Sequence, residues 1–390
     1  MRAALLLPLW IGCTADDAPD TVDFDAVASA SAPGANGVGY AKTTTAWAPP
    51  WGTPDGTGIR ELPVEVWYPA AAPSDARATY LVAGIVEREA PLAQDAPAPA
   101  PGPHPVAVYS HGSGGLGLIA YPFAERLASH GWIVLSADHV GNTSFDLIGG
   151  GGEPFLATMV NRPRDVTALL DLADAGALPD LEADLDQVFL FGHSFGGYTT
   201  FSAGGVANQS ALWAAGCDAT DTDEDCLLAL NPDVQDALDG GFIDPRIDAI
   251  APQAPALVSS FAEGALAALP IPTLLQSAGG DLTTPDATEA QPAWEALDDA
   301  RDRWIRIPEG GHYSFISVCD DVGLDVIEVF QPGASADGCG PSNTPTIETV
   351  PVLATYLTAF AEAYVRGEPR YAAVLDEALH PGFRVKQHGD

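Results

Sequence analysis

The stretch Val188–Gly197 reads VFLFGHSFGG. Four apolar residues with strand character lead into the pattern G-x-S-x-G, and a segment of small residues with helical character follows. This succession of strand, sharp turn and helix is the context in which a serine is presented above the edge of a sheet. Gly192 and Gly196 have to stay small, because a Cβ atom at either position would collide with the neighbouring strand or helix. The sequence therefore predicts Ser194 as a nucleophile.

The composition limits the class of protein. With 390 residues, of which 47% are hydrophobic, the chain can bury a large core and is not generally disordered. It carries 16 Lys and Arg against 53 Asp and Glu, a net charge of −37. A field of that sign repels nucleic acid and anionic membrane surfaces, so neither is expected as a partner. We interpret the excess acid as a solvated surface.

Predicted strands and helices alternate along most of the chain. Helical patterns cover residues 121–130 and 351–366, and a third helix is predicted to run to residue 172 with Pro163 in its first turn. The predicted strands are 60–69, 106–110, 132–136, 188–191, 247–251, 273–277 and 304–307. This alternation predicts an α/β fold with a doubly wound, mostly parallel sheet. In such a fold the active site lies at the carboxyl ends of the strands.

A serine nucleophile needs a base that accepts its proton. In sites of this kind the chain order is serine, carboxylate, histidine, so the base should follow Ser194. His312 comes directly after a predicted strand, in the loop sequence EGGH, whereas His380 and His388 lie in a polar tail. The sequence predicts His312 as the base.

The base in turn needs a carboxylate that fixes its tautomer. Asp281 lies in the loop 279–285, which follows one predicted strand and precedes the next helix. Asp281 is therefore the first choice. Asp286 is the nearest rival, and Asp248 is the alternative if the acid follows the preceding strand.

Acyl transfer also needs donors for the developing oxyanion. One should be the backbone N–H of Phe195, at the start of the helix after the nucleophile. The loop 111–115, HGSGG, follows another strand and should supply the second, which we assign by position to the backbone N–H of Ser113. His111 and His193 each stand beside a glycine turn and are interpreted as structural hydrogen-bonding residues.

These motifs resemble those of a known superfamily. The flanks of Ser194 and the loops of Asp281 and His312 look like those of an α/β-hydrolase. Four further stretches extend the likeness to the platelet-activating-factor acetylhydrolase and dienelactone-hydrolase-like esterase group: residues 62–69, 110–115, 138–143 and 312–315. The Asp281 and His312 loops are also similar to those of bacterial cutinases and polyester hydrolases. The resemblance covers roughly residues 60–320.

The resemblance implies hydrolysis of carboxylic esters. Dienelactone hydrolases have a cysteine nucleophile where this chain has Ser194, so dienelactone chemistry is not implied. The segment 205–243 is an acidic insertion that departs from the small cutinase pattern, and we interpret it as a cap over the site or as a surface excursion. Asp221 opens an acidic alternation typical of a calcium loop, but Cys226 and Pro232 stand where that loop needs glycine and glutamate. No metal site is predicted.

The N-terminus predicts export. Residues 1–12 combine Arg2 with a short apolar run, and Cys13 follows a glycine, as in a bacterial lipoprotein signal. A plain secretory signal is the alternative. Residues 13–36 are predicted to be a flexible tether, 37–380 an α/β-hydrolase domain with the inserted segment, and 381–390 a tail.

The other four cysteines, Cys217, Cys226, Cys319 and Cys339, suggest two disulfides in an exported chain. Three pairings are possible, and proximity in the sequence favours Cys217–Cys226 and Cys319–Cys339.

Together these features predict an exported serine hydrolase that cleaves a small-molecule or lipid-like ester and contacts a membrane only through a lipid anchor on Cys13. The predicted chemistry needs neither a metal nor an organic cofactor. Two other classes stay open from the sequence: an amidase or peptidase of the same fold, and a binding protein that has the fold without the activity.

Overall fold

A large sheet forms the centre of the structure, a computed structural model that describes residues 23–53, 57–178 and 180–388. Ten of the strands found in these residues belong to it, and β3 and β4 form a separate hairpin. The strands are β1 Gly37–Trp47, β2 Arg60–Ala70, β3 Thr79–Val82, β4 Val86–Glu89, β5 Ala93–Asp95, β6 His104–Ser110, β7 Ile133–Ala137, β8 Ala183–His193, β9 Ala249–Gln253, β10 Leu274–Ala278, β11 Arg303–Ile307 and β12 Arg384–Gln387.

The spatial order of the sheet is β12-β11-β10-β9-β8-β6-β7-β2-β1-β5. The six strands from β11 to β7 in this order are parallel to one another. At the two ends of this group, β12 pairs antiparallel with β11, and β2 pairs antiparallel with β7. The apolar stretches that predicted strands form β2 and all six parallel strands, so the prediction of a mostly parallel sheet is confirmed. Parallel strands are covered on both faces, and β6, β7, β9 and β10 are accordingly buried along their whole length.

Helices cover both faces of the sheet. Those found in the described residues are α1 Phe24–Ser31, α2 Tyr121–Ser129, α3 Ser144–Gly149, α4 Phe155–Asp174, α5 Phe195–Ala203, α6 Ser210–Ala214, α7 Glu224–Ala229, α8 Pro232–Gly240, α9 Ala290–Ala296, α10 Val318–Val322, α11 Leu324–Phe330 and α12 Thr346–Tyr364. Side chains of α1, α2 and α12 belong to one buried core, and those of α4, α5, α8 and α9 belong to the other. The sheet lies between these two layers.

The prediction that Pro163 stands in the first turn of its helix is wrong. Helix α4 begins eight residues earlier, at Phe155, so Pro163 lies inside it. A proline there has no N–H to donate to the carbonyl of Met159, four residues before. The hydroxyl of Tyr198, on α5, lies 3.4 Å from that carbonyl and supplies a donor instead. The neighbouring helix thus compensates for the proline.

Both ends of the predicted domain extend further than the sequence suggested. Residues 24–31 of the predicted tether form α1, because Ala26 and Ala30 share one face and are fully buried in the core. Residues 384–387 of the predicted tail form β12, which pairs with β11. The predicted signal at residues 1–12, Cys13 and the first part of the tether lie outside the described residues.

The segment 205–243 folds into α6, α7 and α8 and is crosslinked by the disulfide Cys217–Cys226. A second disulfide joins Cys319 and Cys339. Both pairings are the ones that sequence proximity favours. In the described part of the chain, no helix combines the length and the apolar character needed to span a bilayer.

Candidate active site

Ser194 occupies the sharp turn between β8 and α5. Its backbone φ is +59°, a strained conformation for a residue with a side chain. The two flanking glycines explain how the turn fits: a Cβ atom on Gly192 would lie 2.5 Å from the carbonyl oxygen of Gly196, and one on Gly196 would lie 1.9 Å from that of Ser110. The turn therefore tolerates no side chain at either position, which is the physical reason for the G-x-S-x-G pattern.

The hydroxyl of Ser194 faces an imidazole. Ser194 Oγ lies 2.8 Å from His312 Nε2, and His312 Nδ1 lies 2.9 Å from Asp281 Oδ2. The three residues come from loops after β8, β11 and β10, so three carboxyl ends of the parallel sheet meet here. All three are buried, with Ser194 the most exposed at 9%. With Nδ1–H donated to the carboxylate, Nε2 is free to accept the serine proton.

The loop after β10 holds the Asp281 carboxylate firmly. Its Oδ1 accepts the backbone N–H groups of Thr283, at 2.9 Å, and Thr284, at 2.6 Å. The hydroxyl of Thr284 lies 2.8 Å from Oδ2 and 3.1 Å from His312 Nδ1. The two rivals for the acid face elsewhere, since Asp286 pairs with Arg306 and Asp248 accepts the N–H of Val188.

His312 stands at the start of a short 3₁₀ helix, His312–Phe315, and its backbone is held on both sides. Its N–H donates to Asp337 Oδ1 at 2.9 Å, and its carbonyl lies 2.8 Å from His193 Nε2. Burial, together with the neighbouring His312, lowers the pKa of His193 well below its usual value. His193 is therefore neutral and donates Nε2–H to that carbonyl, a structural hydrogen bond of the kind expected from the sequence.

The two N–H groups assigned to the oxyanion are at the same end of the site. Phe195 opens α5, so its N–H has no partner within the helix. Ser113 lies in the loop after β6 and lines the same cavity as Ser194 and His312. Within the described residues, neither N–H donates a hydrogen bond to the protein. Both are therefore available to an oxygen bound above Ser194.

The cavity above Ser194 has an apolar wall. It has a volume of about 130 Å³ and is lined by side chains from the β3–β4 turn, α3 and α11, including Ile85, Phe145, Ile148, Val326, Ile327 and Phe330. A more polar pocket opens on the other side of Ser194 and is lined by Thr283, Gln331 and Asp337. None of the described residues of 205–243 lines either cavity. Of the two interpretations of that segment, this placement favours the surface excursion over the cap.

A metal site is not supported at the cysteines. In the described ranges, one grouping of potential ligands is found, at Cys217, Asp221 and Cys226. Its two sulfur atoms are bonded to each other as a disulfide, so they cannot act as thiolate ligands.

Several site residues were not found from the sequence. Asp337 and Thr284 hold the acid and base loops, and Asn142 and Arg162 contact the loop of Ser113. Each of these four contacts joins distant parts of the chain. Two signals were available: Thr284 lies in the loop 279–285, and Asn142 lies in the stretch 138–143 that carries part of the family resemblance.

No family model and no curated protein matches the sequence. Among solved structures, the chain is similar to a ferulic acid esterase from Streptomyces cinnamoneus, with a TM-score of 0.64 and 23% sequence identity over 90% of this chain and 96% of that chain. A likeness at this level of identity concerns the fold. Together with the mostly parallel sheet and its flanking helices, it confirms the α/β fold of the hydrolase type that the sequence predicts.

Proposed function

We propose that the protein is an exported serine hydrolase that cleaves carboxylic esters through an acyl-enzyme. The observation that carries the proposal is the hydrogen-bonded chain from Ser194 Oγ to His312 Nε2, at 2.8 Å, and from His312 Nδ1 to Asp281 Oδ2, at 2.9 Å. These distances satisfy the geometry of a nucleophile activated by an oriented base. Ser194 and His312 line a cavity large enough for a small substrate.

In the first half of the reaction, Ser194 Oγ attacks the ester carbonyl carbon while its proton passes to His312 Nε2. Asp281 stabilises the imidazolium that forms, and the N–H groups of Phe195 and Ser113 bind the oxyanion. The tetrahedral intermediate collapses as His312 gives the proton to the alcohol oxygen, so the alcohol leaves and an acyl-serine remains. Water then attacks the acyl carbon while its proton passes to His312 Nε2. The bond between that carbon and Ser194 Oγ breaks, the carboxylic acid leaves, and His312 returns the proton to Ser194 Oγ.

The cavity supports an ester with one apolar part. A cavity of about 150 Å³ lined by aliphatic and aromatic side chains accommodates a benzene ring. The apolar cavity here is of similar volume, about 130 Å³, which suits a ring or an alkyl chain of comparable size. The similar solved structure is a ferulic acid esterase, so aromatic acid esters belong among the substrates to test. Membership of the acetylhydrolase or cutinase groups stays a prediction.

Export is supported by the two disulfides, which persist in oxidising compartments and are rare in the cytosol. The lipoprotein signal and acylation of Cys13 remain predictions from the sequence. They are tested by labelling cells that express the full chain with an azido fatty acid and asking whether Cys13→Ser abolishes the label.

The decisive experiment is fluorophosphonate labelling followed by peptide mass spectrometry. We expect the label on Ser194, and no label on folded Ser194→Ala. Ser202→Ala is a matched control, because Ser202 lies on α5, the helix that follows Ser194, and is fully buried. Folded wild-type protein that does not react at Ser194 would contradict the proposal and favour the binding protein.

A second assay separates ester from amide hydrolysis. We expect turnover of p-nitrophenyl acetate, butyrate and octanoate and of methyl ferulate, and little turnover of the corresponding p-nitroanilides. Faster cleavage of the anilides than of the esters would instead assign the chain to the amidases.

A further inference from the structure

A cluster of buried polar residues lies directly behind the loop of Ser113. We call it the back cluster and define it as Ser110, Asn142, Asp165, Arg162 and His139. These side chains are nearly inaccessible to solvent, and the most exposed of them, Asn142, reaches 7%. Buried polar and charged groups are costly unless they are paired, so a cluster of this size needs an explanation.

Part of the back cluster repeats the connectivity of the candidate site. Ser110 Oγ lies 2.9 Å from His139 Nε2, and His139 Nδ1 lies 2.8 Å from Asp165 Oδ2. Ser110 is completely buried and cannot meet a substrate. Burial lowers the pKa of His139 to about 4, and Arg162 adds to this against the opposing carboxylate of Asp165. His139 is therefore neutral. It donates a hydrogen bond from Nδ1–H to Asp165, and its Nε2 accepts a hydrogen bond from the hydroxyl of Ser110.

Arg162 connects this chain to the loop after β6. One guanidinium nitrogen donates to Ser110 Oγ at 3.1 Å and to the carbonyl of His111, and the other terminal nitrogen donates to Asn142 Oδ1 at 2.8 Å. Burial lowers the pKa of Arg162 to about 9, which leaves the side chain charged at neutral pH. The carboxylate of Asp165, which forms a two-point ion pair with the buried Arg60, also favours the charge on Arg162 through space. A planar guanidinium with several fixed donors can hold several acceptors at once.

Asn142 connects Arg162 to the loop 111–115, which contains Ser113. Its Nδ2–H donates to Ser113 Oγ at 3.1 Å, and its backbone carbonyl accepts the N–H of Gly114 at 3.0 Å. Its Oδ1 is the acceptor held by Arg162. Asn142 thus forms hydrogen bonds with Ser113 and Gly114, and its own side chain is held by Arg162 on α4.

We propose that Asn142 is a positioning residue, which together with Arg162 holds the backbone N–H of Ser113 where it meets the oxyanion. The inference rests on the proposed function, because it concerns the donor that the proposed reaction uses. A donor in an oxyanion hole has to be placed before the charge develops. The bonds from Asn142 fix the side chain of Ser113 and the peptide that follows it, and so hold the residue whose N–H is the donor. The sealed chain of Ser110, His139 and Asp165 keeps Arg162 in place.

Asn142→Ala tests the proposal by separating transition-state stabilisation from folding. We expect kcat on p-nitrophenyl butyrate to fall about 10-fold with KM changed less than about twofold, since small displacements of an oxyanion donor act on the transition state. Asn208→Ala is the matched control, because Asn208 is another buried asparagine, which contacts Ser260 and lies outside the site. It should lower the melting temperature and leave kcat unchanged.

Binding of pentylboronic acid supplies a readout that overall loosening would not move. The boronate forms a tetrahedral adduct with Ser194 and places an oxygen in the oxyanion hole. We expect its Kd, measured by calorimetry, to rise in Asn142→Ala by about the factor by which kcat falls, while the Kd of hexanoate stays the same. Equal weakening of both ligands, or an unchanged boronate Kd, would overturn the proposal.

A double variant tests whether Asn142 acts through Ser113. Ser113→Ala removes the hydroxyl that Asn142 binds and keeps the N–H. Its effect combined with Asn142→Ala should be no larger than that of Asn142→Ala alone, because both changes break one contact. Effects on kcat that multiply would refute this route.

If Asn142→Ala does not fold, Asn142→Ser replaces it in all these experiments, because the side chain of serine is too short to reach both Ser113 and Arg162. Wild-type protein that hydrolyses esters while the variants match it contradicts this inference alone, whereas wild-type protein that neither hydrolyses esters nor binds the boronate removes both proposals.

Discussion

Asp337 Oδ1 accepts the backbone N–H of His312 at a distance of 2.9 Å. The same carboxylate accepts the N–H of Leu282, at 2.9 Å, and the hydroxyl of Thr283, at 2.8 Å. It therefore bridges the loop that carries the candidate base to the loop that carries the candidate acid. Asp337 is 4% exposed and stands two residues before Cys339, at the end of a crosslinked segment. Its side chain therefore adds three bonds to the backbone bond from Gly280 N–H to the carbonyl of Gly310, which joins the same two loops.

Asp337→Ala should impair the site more than it impairs the fold. Three donors lose their acceptor, and a lost buried hydrogen bond costs about 1–3 kcal/mol, so the free energy of unfolding should fall by several kcal/mol at most. We expect kcat to fall about 10- to 100-fold because His312 and Asp281 lose their common support. Ester kinetics beside urea unfolding measure both effects. Wild-type kcat in a destabilised variant would show that the bridge has no role in positioning.

The two disulfides should differ in their effect on activity. Each closes a short loop, and removing either should lower the free energy of unfolding by about 3 kcal/mol. Cys319–Cys339 crosslinks the segment that contains Asp337 and the wall of α11, whereas Cys217–Cys226 lies in a segment that lines neither cavity. We expect the double variant Cys319→Ser/Cys339→Ser to lose most of its ester hydrolysis. The double variant Cys217→Ser/Cys226→Ser is the control and should keep its ester hydrolysis. Equal losses of activity in the two double variants would contradict the prediction that the disulfides differ.

Acyl-chain preference should depend on the face of α11 that lines the cavity. Val326 lines it, while Val329, on the same helix, is 75% exposed and does not. Val326→Phe adds a ring to a cavity of about 130 Å³ and should exclude long acyl chains. We expect the ratio of kcat/KM for p-nitrophenyl octanoate to that for acetate to fall at least about 10-fold, the scale of discrimination by apolar pockets. Val329→Phe should leave the ratio unchanged, and a fall in both variants would place the acyl chain elsewhere.

Local pattern was enough to choose the three side chains that the structure brings within hydrogen-bond distance of one another, and their catalytic roles stay a prediction. The turn at Ser194 needs glycines on both sides, and His312 and Asp281 each follow an apolar strand, so pattern and chain order were enough to choose them. Asp337 carries no such pattern. Its role arises because a crosslinked loop returns to the site from far along the chain, and a single aspartate in a loop is most often only a turn former.

Neither the wall of the cavity nor the two elements at the ends of the domain, α1 and β12, could be predicted from local pattern. The acidic segment 205–243 is a conspicuous insertion, but the cavity is lined by α11, whose short apolar pattern gave no sign of its location. The segment that forms α1 contains mostly Ala, Ser and Asp, a composition typical of a tether. Its two buried alanines are small, so the helical period is weak in the sequence and becomes clear only from packing against α12.

The titration of His139 provides a test of the back cluster by pH. His139 is faced by the carboxylate of Asp165, the guanidinium groups of Arg162 and Arg60, and the ring of His111, whose centroid lies 4.8 Å away. Because the pKa of His139 is about 4 in the folded protein and its usual value is 6.5, the unfolded chain binds a proton first as the pH falls. The stability that neutral His139 contributes is therefore complete above pH 6.5 and is lost as the pH falls towards 4.

We expect this loss to reach about 3 kcal/mol at pH 4 in the wild type and to be absent in His139→Gln. Other buried groups oppose it, among them Glu153, whose pKa burial raises to about 7, so the stability of the wild type alone does not isolate the histidine. The measurement is the difference in the free energy of unfolding between the two proteins, from urea titrations at several values between pH 4 and 7.5. That difference should favour the wild type most at neutral pH and shrink steadily on acidification. A difference that stays constant with pH would mean that His139 titrates alike in the folded and unfolded states, and the neutral hydrogen-bonded chain from Ser110 to Asp165 would then be wrong.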